Sequence, residues 1–295
     1  EHIMRWNSPW GVGFPGWHIE CSAMSTKYLG QEFDIHGGGM DLKFPHHECE
    51  IAQSAVCSNH IPAKYWLHNN MITINGRKMG KSYNNVIKLS ELFSGNHEIL
   101  AQAYSAMTIR FFILQTHYRS TLDFGNESLQ ASEKGLRRIW DAFQLLGKFN
   151  IDSHQSIDTI DVSLNQHCLD VLNSLDDDMN DDLNTAKVLA SLFELVPIIN
   201  SLKDGHLKFE ALASDTLKLM KDKFKVYLVD IFGLQDEQKQ HDDKISAILH
   251  LIAEIRKDAR DKKDFTTSDK IRNQLLAAGI QLKDEKSGGV SWEFI

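Results

Sequence analysis

The chain has 295 residues, of which 42% are hydrophobic and 24% are charged, and its formal net charge is −8 at pH 7. This composition excludes a disordered chain, and the negative charge excludes a protein that coats nucleic acid by bulk electrostatics. No apolar run approaches the ~20 residues that cross a bilayer, and residues 1–6 lack the pattern of a signal peptide. We therefore expect a cytoplasmic protein of two or three domains without a membrane partner.

The first residues run directly into sequence that is dense in tryptophan, proline and glycine. A chain that begins at Glu1 inside such a motif favours a fragment of a longer protein, although Met4 offers an alternative start. Four cysteines are too few for a disulfide scaffold, and we interpret them as reduced.

Residues 6–60 mix glycines, prolines, histidines and short apolar runs, which is typical of alternating strands and helices. We predict helices over 22–28 and 46–56 and a short strand over 33–36. The three glycines that follow, Gly37, Gly38 and Gly39, predict a turn where the backbone could approach an anionic ligand. A purely structural turn is the equal alternative.

Glycine and proline become rare after residue 96, and long amphipathic segments follow. We predict helices over 101–114, 129–146, 165–175 and 184–202, with an acidic turn over 176–180. Residues 161–200 contain eight acids and one base, Lys187, so this stretch would repel phosphate. The fold class expected is therefore α/β followed by all-α.

A polar break over 235–242 predicts a linker, and a small separate unit follows it. Its first helix carries apolar residues at helical spacing and then a basic cluster that includes Arg256, Lys257 and Arg260. Residues 245–283 contain eight bases and five acids. The unit is thus locally positive on an acidic protein, and any RNA contact would have to come from a local basic patch of this kind.

A set of metal-type ligands stands out in the first part of the chain. His46 and Glu50 are four residues apart, so a helix places both on one face, and Cys21 could join them from an adjacent element. Thiolate, imidazole and carboxylate are all zinc ligands, and three protein ligands with an open position describe a catalytic site. The alternative is a buried apolar cysteine beside ordinary polar residues of a helix, and spacing alone leaves both interpretations open.

Residues 78–82 bring Lys78 and Lys81 together in a loop, which would place positive charge against a polyphosphate. A solvated basic loop has the same composition.

Together these residues resemble the cysteinyl-tRNA synthetases, which are class I aminoacyl-tRNA synthetases. Blocks this long, in this order, are highly specific, and the similarity covers nearly the whole chain. The resembling stretches are 8–11, 15–24, 33–42, 44–48, 78–82, 110–114 and 182–186, with Arg260, 271–272 and 279–280 near the end of the chain.

The resemblance implies an enzyme that activates L-cysteine with ATP and Mg²⁺ to cysteinyl-adenylate and transfers it to cysteine tRNA. It implies the second half of a Rossmann-type catalytic domain with a zinc site over 1–70, and a lysine-loop and tRNA stem-contact region over 71–124. A helical bundle over 125–235 and a small anticodon-binding domain over 243–295 would follow. The protein is expected to be a monomer.

The resemblance also implies roles for individual residues. Zinc, bound by Cys21, His46 and Glu50, would select the thiolate of the substrate over a serine hydroxyl. The other implied roles are substrate binding by Trp17, His18 and His36, ATP binding by Lys81, Gly37, Gly38 and Gly39, catalysis by Lys78 and Lys81, and tRNA binding by Arg256, Lys257 and Arg260.

Three departures from the family pattern matter. The nucleotide-binding His-x-Gly-His signature and a fourth zinc ligand, a cysteine, are expected upstream, so this chain alone is expected to be a C-terminal portion that is inactive. Gly80 replaces a serine of the lysine loop, which predicts a looser backbone there. Cys49 replaces an asparagine near His46 and could compete as a ligand.

Two other functions remain open from the sequence. The first is the related ligase of the mycothiol pathway, which joins cysteine to an amino-sugar inositol and would not need a basic tail. The second is a non-catalytic fragment that binds tRNA.

Overall fold

The computed structural model describes residues 4–151, 160–284 and 290–294. The chain divides into two compact units, Glu1–Leu234 and Gln235–Ile295.

The first unit begins with a two-stranded hairpin, β1 (Trp6–Ser8) and β2 (Gly11–Gly13), and continues into helix α1 (Trp17–Leu29). A parallel pair, β3 (Phe33–Gly39) and β4 (Ala63–Asn69), is connected through the π-helical segment Lys43–His47 and helix α2 (Glu48–Ser58). The predicted turn at Gly37, Gly38 and Gly39 is wrong, because all three residues pair with β4 as the last part of β3. Local composition suggested a turn, but pairing with a distant strand keeps these glycines extended.

A second sheet has the order β6-β5-β7 and consists of Ile72–Ile74 (β5), Arg77–Lys78 (β6) and Leu122–Phe124 (β7). Helices α3 (Leu89–Ser94) and α4 (Ala106–Leu114) lie between β6 and β7 in the chain. Ile74, Phe112 and Phe124 belong to one buried apolar cluster that joins this sheet to the helices.

Four helices form the helical bundle, which we define as residues 126–234. They are α5 (Asn126–Lys148), α6 (Val162–Asn180), α7 (Thr185–Lys203) and α8 (Ser214–Lys225), and a π-helical turn, Val226–Ile231, extends α8. The predicted acidic turn over 176–180 is wrong, because these residues are the last part of α6. Asp178 is buried and pairs with Lys187 of α7 at 2.6 Å, so its charge has a partner within the helical packing.

Helix α7 has a strongly apolar buried side. Its side chains Val188, Leu192 and Val196 are fully buried in the core. By length and composition alone α7 could cross a membrane, and it is the one helix of the described residues that meets this test. Its apolar side chains instead fill the interior of the bundle.

The second unit contains α9 (Glu237–Asp261), α10 (Phe265–Ala277) and an antiparallel hairpin of β8 (Ile280–Asp284) and β9 (Val290–Phe294). Asp264 caps α10 by accepting a hydrogen bond from the Thr267 backbone N–H at 3.1 Å. The predicted linker over 235–242 is largely helical, since α9 begins at Glu237. The predicted fold class is confirmed, and the hairpin is an addition that the sequence reading did not include.

Candidate active site

Three elements of the first unit bring the predicted metal ligands together. Cys21 lies on α1, His46 lies in the π-helical segment, and Glu50 lies in the first turn of α2. One ligand atom from each residue lies within 4.8 Å of the others. Because α1 packs against α2, a thiol distant in sequence reaches the imidazole and carboxylate that the helix already places on one face.

Glu50 has the environment expected of a metal ligand. Its side chain is 2% exposed, and its Oε1 atom lies 2.9 Å from His46 Nε2. This contact does not have hydrogen-bond geometry, and Oε1 has no hydrogen-bond partner among the described residues. Burial raises the pKa of the Glu50 carboxyl to about 7. A buried oxygen without a donor, close to a ring nitrogen, is suited to a shared cation.

A second group of possible ligands shares Glu50 and adds His36 and His47. His36 Nε2 lies 3.4 Å from Glu50 Oε2, and His47 Nδ1 lies 2.8 Å from His68 Nε2. Burial and the neighbouring histidines lower the pKa of His47 to about 4, so its ring is neutral at pH 7. Since one nitrogen of His47 already bonds His68, this group fits a metal less well than the group that contains Cys21.

The Cys21 thiol is a protonated group in this environment. Burial raises its pKa, and the nearby Glu50 and Glu20 carboxylates raise it further. A cation would favour the thiolate and the carboxylate together. Cys49 belongs to neither ligand group of the described residues, so the predicted competition from Cys49 has no support in this geometry.

The glycine run has a packing role at this site. A Cβ atom on Gly38 would lie 2.7 Å from Cε1 of the buried His47 ring, whereas one on Gly37 would meet only the Leu67 carbonyl oxygen at 3.8 Å. Gly38 is therefore needed because the His47 ring occupies the space above it. The structure therefore explains the glycine at position 38 by its contact with the His47 ring and not by the approach of a phosphate.

The residues predicted to bind substrate lie around His46. The Trp17 ring is edge-on to the His46 ring at a centroid distance of 4.6 Å, and His18 is 6.2 Å away. His36 contacts Trp66 at 4.7 Å. Sequence reasoning missed Trp66 and His68, although their alternation on one strand, paired with His36 and Gly38 of β3, places them on the same face.

The lysine loop is held by a side chain that sequence reasoning also missed. The Gly80 backbone N–H donates to Asn85 Oδ1 at 2.9 Å, and Asn85 Nδ2 donates to the Lys78 carbonyl at 3.0 Å. Gly80 has an extended backbone with φ of −173°. Asn85 thus bridges the two sides of the loop, and the looser backbone expected at Gly80 stays a prediction. Both Lys78 and Lys81 are exposed.

A cavity of about 260 Å³ lies between the parallel strand pair and this loop. Gly39 and Asn69, the last residues of β3 and β4, line it together with Asp41, Asn70 and Lys78. Ligands of open α/β sheets bind at the carboxyl ends of parallel strands. Neither Gly37, Gly38 nor Lys81 lines this cavity.

The predicted tRNA-binding residues differ in exposure. Lys257 and Arg260 are exposed on α9, but Arg256 is only 4% exposed. Arg256 follows Leu249 and Ala253 at helical spacing, and both of those residues are buried, so it lies on the inward face of the helix. Arg256 is thus less accessible to RNA than Lys257 and Arg260, and its role in tRNA binding stays a prediction.

Two parts of the chain match known protein families, and its fold resembles that of a solved structure. Residues 1–134 match the family described as tRNA synthetases class I (C) catalytic domain, and residues 175–235 match the DALR domain family. The fold resembles that of LeuRS in its ternary complex with tRNA and LeuAMS from Agrobacterium radiobacter K84, with a TM-score of 0.52 and 15% identity over 76% of this chain and 32% of that chain. By its catalytic-domain match and its fold, the chain is similar to the class I aminoacyl-tRNA synthetases.

Curated relatives indicate which kind of aminoacyl-tRNA synthetase the chain is similar to. The chain is 52% identical to the cysteine–tRNA ligase of Parabacteroides distasonis over 98% of its own length and 57% of that relative. It is 50% identical to the cysteine–tRNA ligase of Porphyromonas gingivalis over the same shares. The chain is a homologue of the cysteine–tRNA ligases, which confirms the resemblance, and it spans 57% of the length of these relatives.

Proposed function

We propose that the protein, at its natural length, is a cysteine–tRNA ligase. It activates L-cysteine with ATP to cysteinyl-adenylate and transfers the cysteinyl group to cysteine tRNA. The observation that supports this most strongly is the convergence of Cys21, His46 and Glu50 within 4.8 Å in a chain homologous to cysteine–tRNA ligases.

The metal in this proposal is zinc, held by Cys21, His46 and Glu50. The donor set of thiolate, imidazole and carboxylate suits zinc, and the orphaned Glu50 Oε1 atom supports a cation at this point. When bound, zinc would favour the thiolate of cysteine over the hydroxyl of serine. His36 is proposed to help orient the Glu50 carboxylate, since it approaches Oε2 while His46 approaches Oε1.

Trp17 and His18 are proposed to shape the amino-acid pocket. Both rings border His46, and Trp17 is exposed at 62% of its surface, so it remains available to cover a small substrate. An aromatic wall beside the ligand cluster excludes water from the substrate sulfur.

ATP and its Mg²⁺ are proposed to bind at the cavity bounded by Gly39, Asn69 and Lys78. The position at the carboxyl ends of two parallel strands supports this choice. Lys78 would place its ammonium group against phosphate, and Lys81 would approach from the adjoining loop. Of the three glycines, only Gly39 lines the cavity, so the proposed nucleotide contact is limited to Gly39.

The chain also fits a tRNA substrate. Residues 175–235 match the DALR domain family, and the exposed Lys257 and Arg260 in the second unit are proposed to contact tRNA. The alignments to cysteine–tRNA ligases cover 98% of the chain and so include this second unit. This coverage favours the tRNA ligase over a ligase that acts on an amino-sugar inositol. A cytoplasmic monomer remains our proposal for its state.

Cysteine-dependent ATP–pyrophosphate exchange by the natural-length protein tests this function. We expect exchange with cysteine and none with serine, and a fall of about 100-fold in kcat/KM for cysteine in the Cys21→Ser variant. Cys57→Ser is the matched control, because Cys57 is an exposed thiol at the end of α2. If Cys21→Ser and the wild type show equal exchange, the proposed role of zinc is rejected. If exchange requires another amino acid and does not occur with cysteine, the proposed cysteine–tRNA ligase activity is rejected.

A further inference from the structure

A segment that the proposed chemistry does not use contacts both the cavity beside Lys78 and the helical bundle. It consists of residues 115–121, which join α4 to β7, and we call it the connecting segment. Two of its residues, Tyr118 and Arg119, contact the cavity side through their backbone and the helical bundle through their side chains. The same two residues therefore make the contacts on both sides.

On the cavity side, the connecting segment holds Asn70. The Asn70 backbone N–H donates to the Tyr118 carbonyl oxygen at 2.8 Å, and Asn70 Nδ2 donates to the Arg119 carbonyl oxygen at 2.9 Å. The other side-chain atom, Asn70 Oδ1, accepts from the Met71 backbone N–H at 2.8 Å. Since Asn70 lines the cavity of about 260 Å³, a residue of the cavity wall takes its position from the connecting segment.

On the bundle side, the connecting segment binds Asp182, in the turn 181–184 between α6 and α7. Arg119 Nε lies 2.7 Å from Asp182 Oδ2, and Arg119 Nη2 donates to Oδ1 at 3.2 Å. The Tyr118 hydroxyl also donates to Oδ1, at 2.6 Å. His117 Nε2 lies 3.1 Å from the Asp182 carbonyl oxygen. A carboxylate that receives two nitrogens of one guanidinium is fixed in orientation as well as in position.

The turn that carries Asp182 has an uncommon backbone conformation. Asp182 and Leu183 have φ values of 60° and 56°, in the left-handed region that costs free energy for residues other than glycine. Leu183 is 49% exposed, so the packing of its own side chain offsets little of this cost. The contacts of Asp182 with the connecting segment therefore help to hold the turn in this conformation. At the far end of the turn, Thr185 Oγ1 donates to the Leu114 carbonyl oxygen at 2.8 Å.

The contact between Arg119 and Asp182 is better suited to fixing position than to adding stability. Their side chains are 59% and 36% exposed, and ion pairs at such positions contribute little to the free energy of unfolding because water screens them. The geometry is nevertheless specific, since one carboxylate receives donors from two adjacent residues. Loss of Asp182 should therefore change the position of the connecting segment more than the stability of the fold.

We propose that Asp182 is a positioning residue for ATP: it fixes the connecting segment, and the connecting segment fixes Asn70 at the cavity. The proposal rests on the proposed function, in which ATP occupies that cavity. Without the contacts of Asp182, the two carbonyl groups that hold Asn70 can move, and the cavity wall moves with them. The proposed cysteine site belongs to α1, the π-helical segment and α2, so ATP and cysteine should respond differently.

The first test compares Asp182→Asn with Asp181→Asn in the natural-length protein. Asparagine keeps the size of the side chain and tolerates the left-handed backbone, and Asp181 is an exposed carboxylate of the same turn. In ATP–pyrophosphate exchange, we expect Asp182→Asn to raise KM for ATP by about 3- to 30-fold and to change KM for cysteine by less than about twofold. Asp181→Asn should match the wild type. A loss of folded protein would lower kcat and leave both KM values unchanged, so it cannot imitate this result.

The second test needs no substrate. Amide hydrogen exchange is measured over residues 69–72, where the N–H groups of Asn70 and Met71 are both hydrogen bonded. We expect faster amide hydrogen exchange there in Asp182→Asn than in Asp181→Asn and the wild type. A double variant then asks whether Asp182 acts through Asn70. In an Asn70→Ala background, Asp182→Asn should raise KM for ATP by less than about twofold further.

Three results would overturn the proposal. They are unchanged amide hydrogen exchange over residues 69–72 in Asp182→Asn, equal rises in KM for ATP and for cysteine, and effects of Asn70→Ala and Asp182→Asn on KM for ATP that multiply. Failure of the proposed function has a different signature, which is a wild type without cysteine-dependent ATP–pyrophosphate exchange. In that case the amide measurement still decides whether Asp182 controls the position of Asn70.

Discussion

Two regions of the first unit differ in the kind of side chain that they bury. In the site region, defined as residues 4–69, the buried charged and polar side chains are His46, His47, Glu50 and Ser54, and the buried apolar residues of its described part are Pro62 and Ala63. Large aromatic side chains are exposed there, and Trp10 is the most exposed of them, at 92% of its surface. In the helical bundle the interior is a continuous cluster of leucine, isoleucine, valine and phenylalanine.

The difference separates stability from function. Apolar burial contributes about 25 cal/mol per Å², so the helical bundle has its own source of folding free energy. The buried side chains of the site region are polar or charged, and burying such groups costs free energy unless they are paired. Several of them lie close to one another. Its interior is therefore arranged for binding, and substitutions in the two regions should affect different measurements.

The largest effect on folding is expected from a truncation in the core of the helical bundle. Leu192→Ala removes a fully buried side chain and should lower the free energy of unfolding by about 2–5 kcal/mol. Urea denaturation measures this change. Leu89→Ala, at a position that is 62% exposed, is the matched control and should change stability by less than about 0.5 kcal/mol. A similar loss from both variants would show that burial in the core of the helical bundle does not set the size of the effect.

Gly38→Ala is expected to lower the free energy of unfolding by less than Leu192→Ala does, and to have a larger effect on the activity of the site. The added Cβ would lie 2.7 Å from the His47 ring, and the ring must move away from its position beside His36. Such overpacking costs about 1–3 kcal/mol, and we also expect cysteine-dependent exchange to fall by about tenfold or more.

Gly37→Ala provides the control for that variant, since its Cβ would have ordinary contact at 3.8 Å. It should retain both stability and exchange activity. If Gly38→Ala retains full exchange, the His47 ring does not position the site.

The smallest effect is expected at Asp176, which links α6 to α8. Hydrogen bonds from Lys223 and Tyr227 lower the pKa of its carboxyl. A lowered folded-state pKa contributes stability above the unfolded pKa and loses it as the pH falls through the folded value. Because the side chain is 58% exposed, Asp176→Asn should cost only about 0.5–1 kcal/mol at pH 7.

Urea denaturation at pH 7 and at pH 3 checks the sign of this effect. The difference between wild type and Asp176→Asn should shrink in acid, while the exposed neighbour variant Asp177→Asn should show little effect at pH 7. A difference that grows as the pH falls would show that Asp176 does not stabilise the fold as a carboxylate.

The sequence predicted those parts of the site that depend on local periodicity or on the family pattern. The spacing of His46 and Glu50 on a helix was sufficient to pair them. The contact of Cys21 with that pair depends on α1 packing against α2. The residue types suggested this contact, spacing alone left it open, and the resemblance implied it.

Other features were missed or predicted wrongly, either because they depend on contacts between distant residues or because a local pattern was not used. The extended conformation of Gly37 to Gly39 comes from pairing with β4. The buried position of Arg256 does follow a local pattern, since it repeats the spacing of Leu249 and Ala253, but the positive charge of its neighbours favoured a surface role. The hairpin of β8 and β9 had a local signal, the alternation of apolar and polar residues over 280–283.

The metal content of the natural-length protein tests the central claim most directly, because the site region is interpreted as a zinc site and not as a core. After purification without chelator, elemental analysis should find about one zinc per chain in the wild type and in the Cys57→Ser control. Cys21→Ser and Glu50→Gln should each retain less than about a tenth of that amount. Full zinc occupancy in both of these variants, or none in an active wild type, would contradict the account.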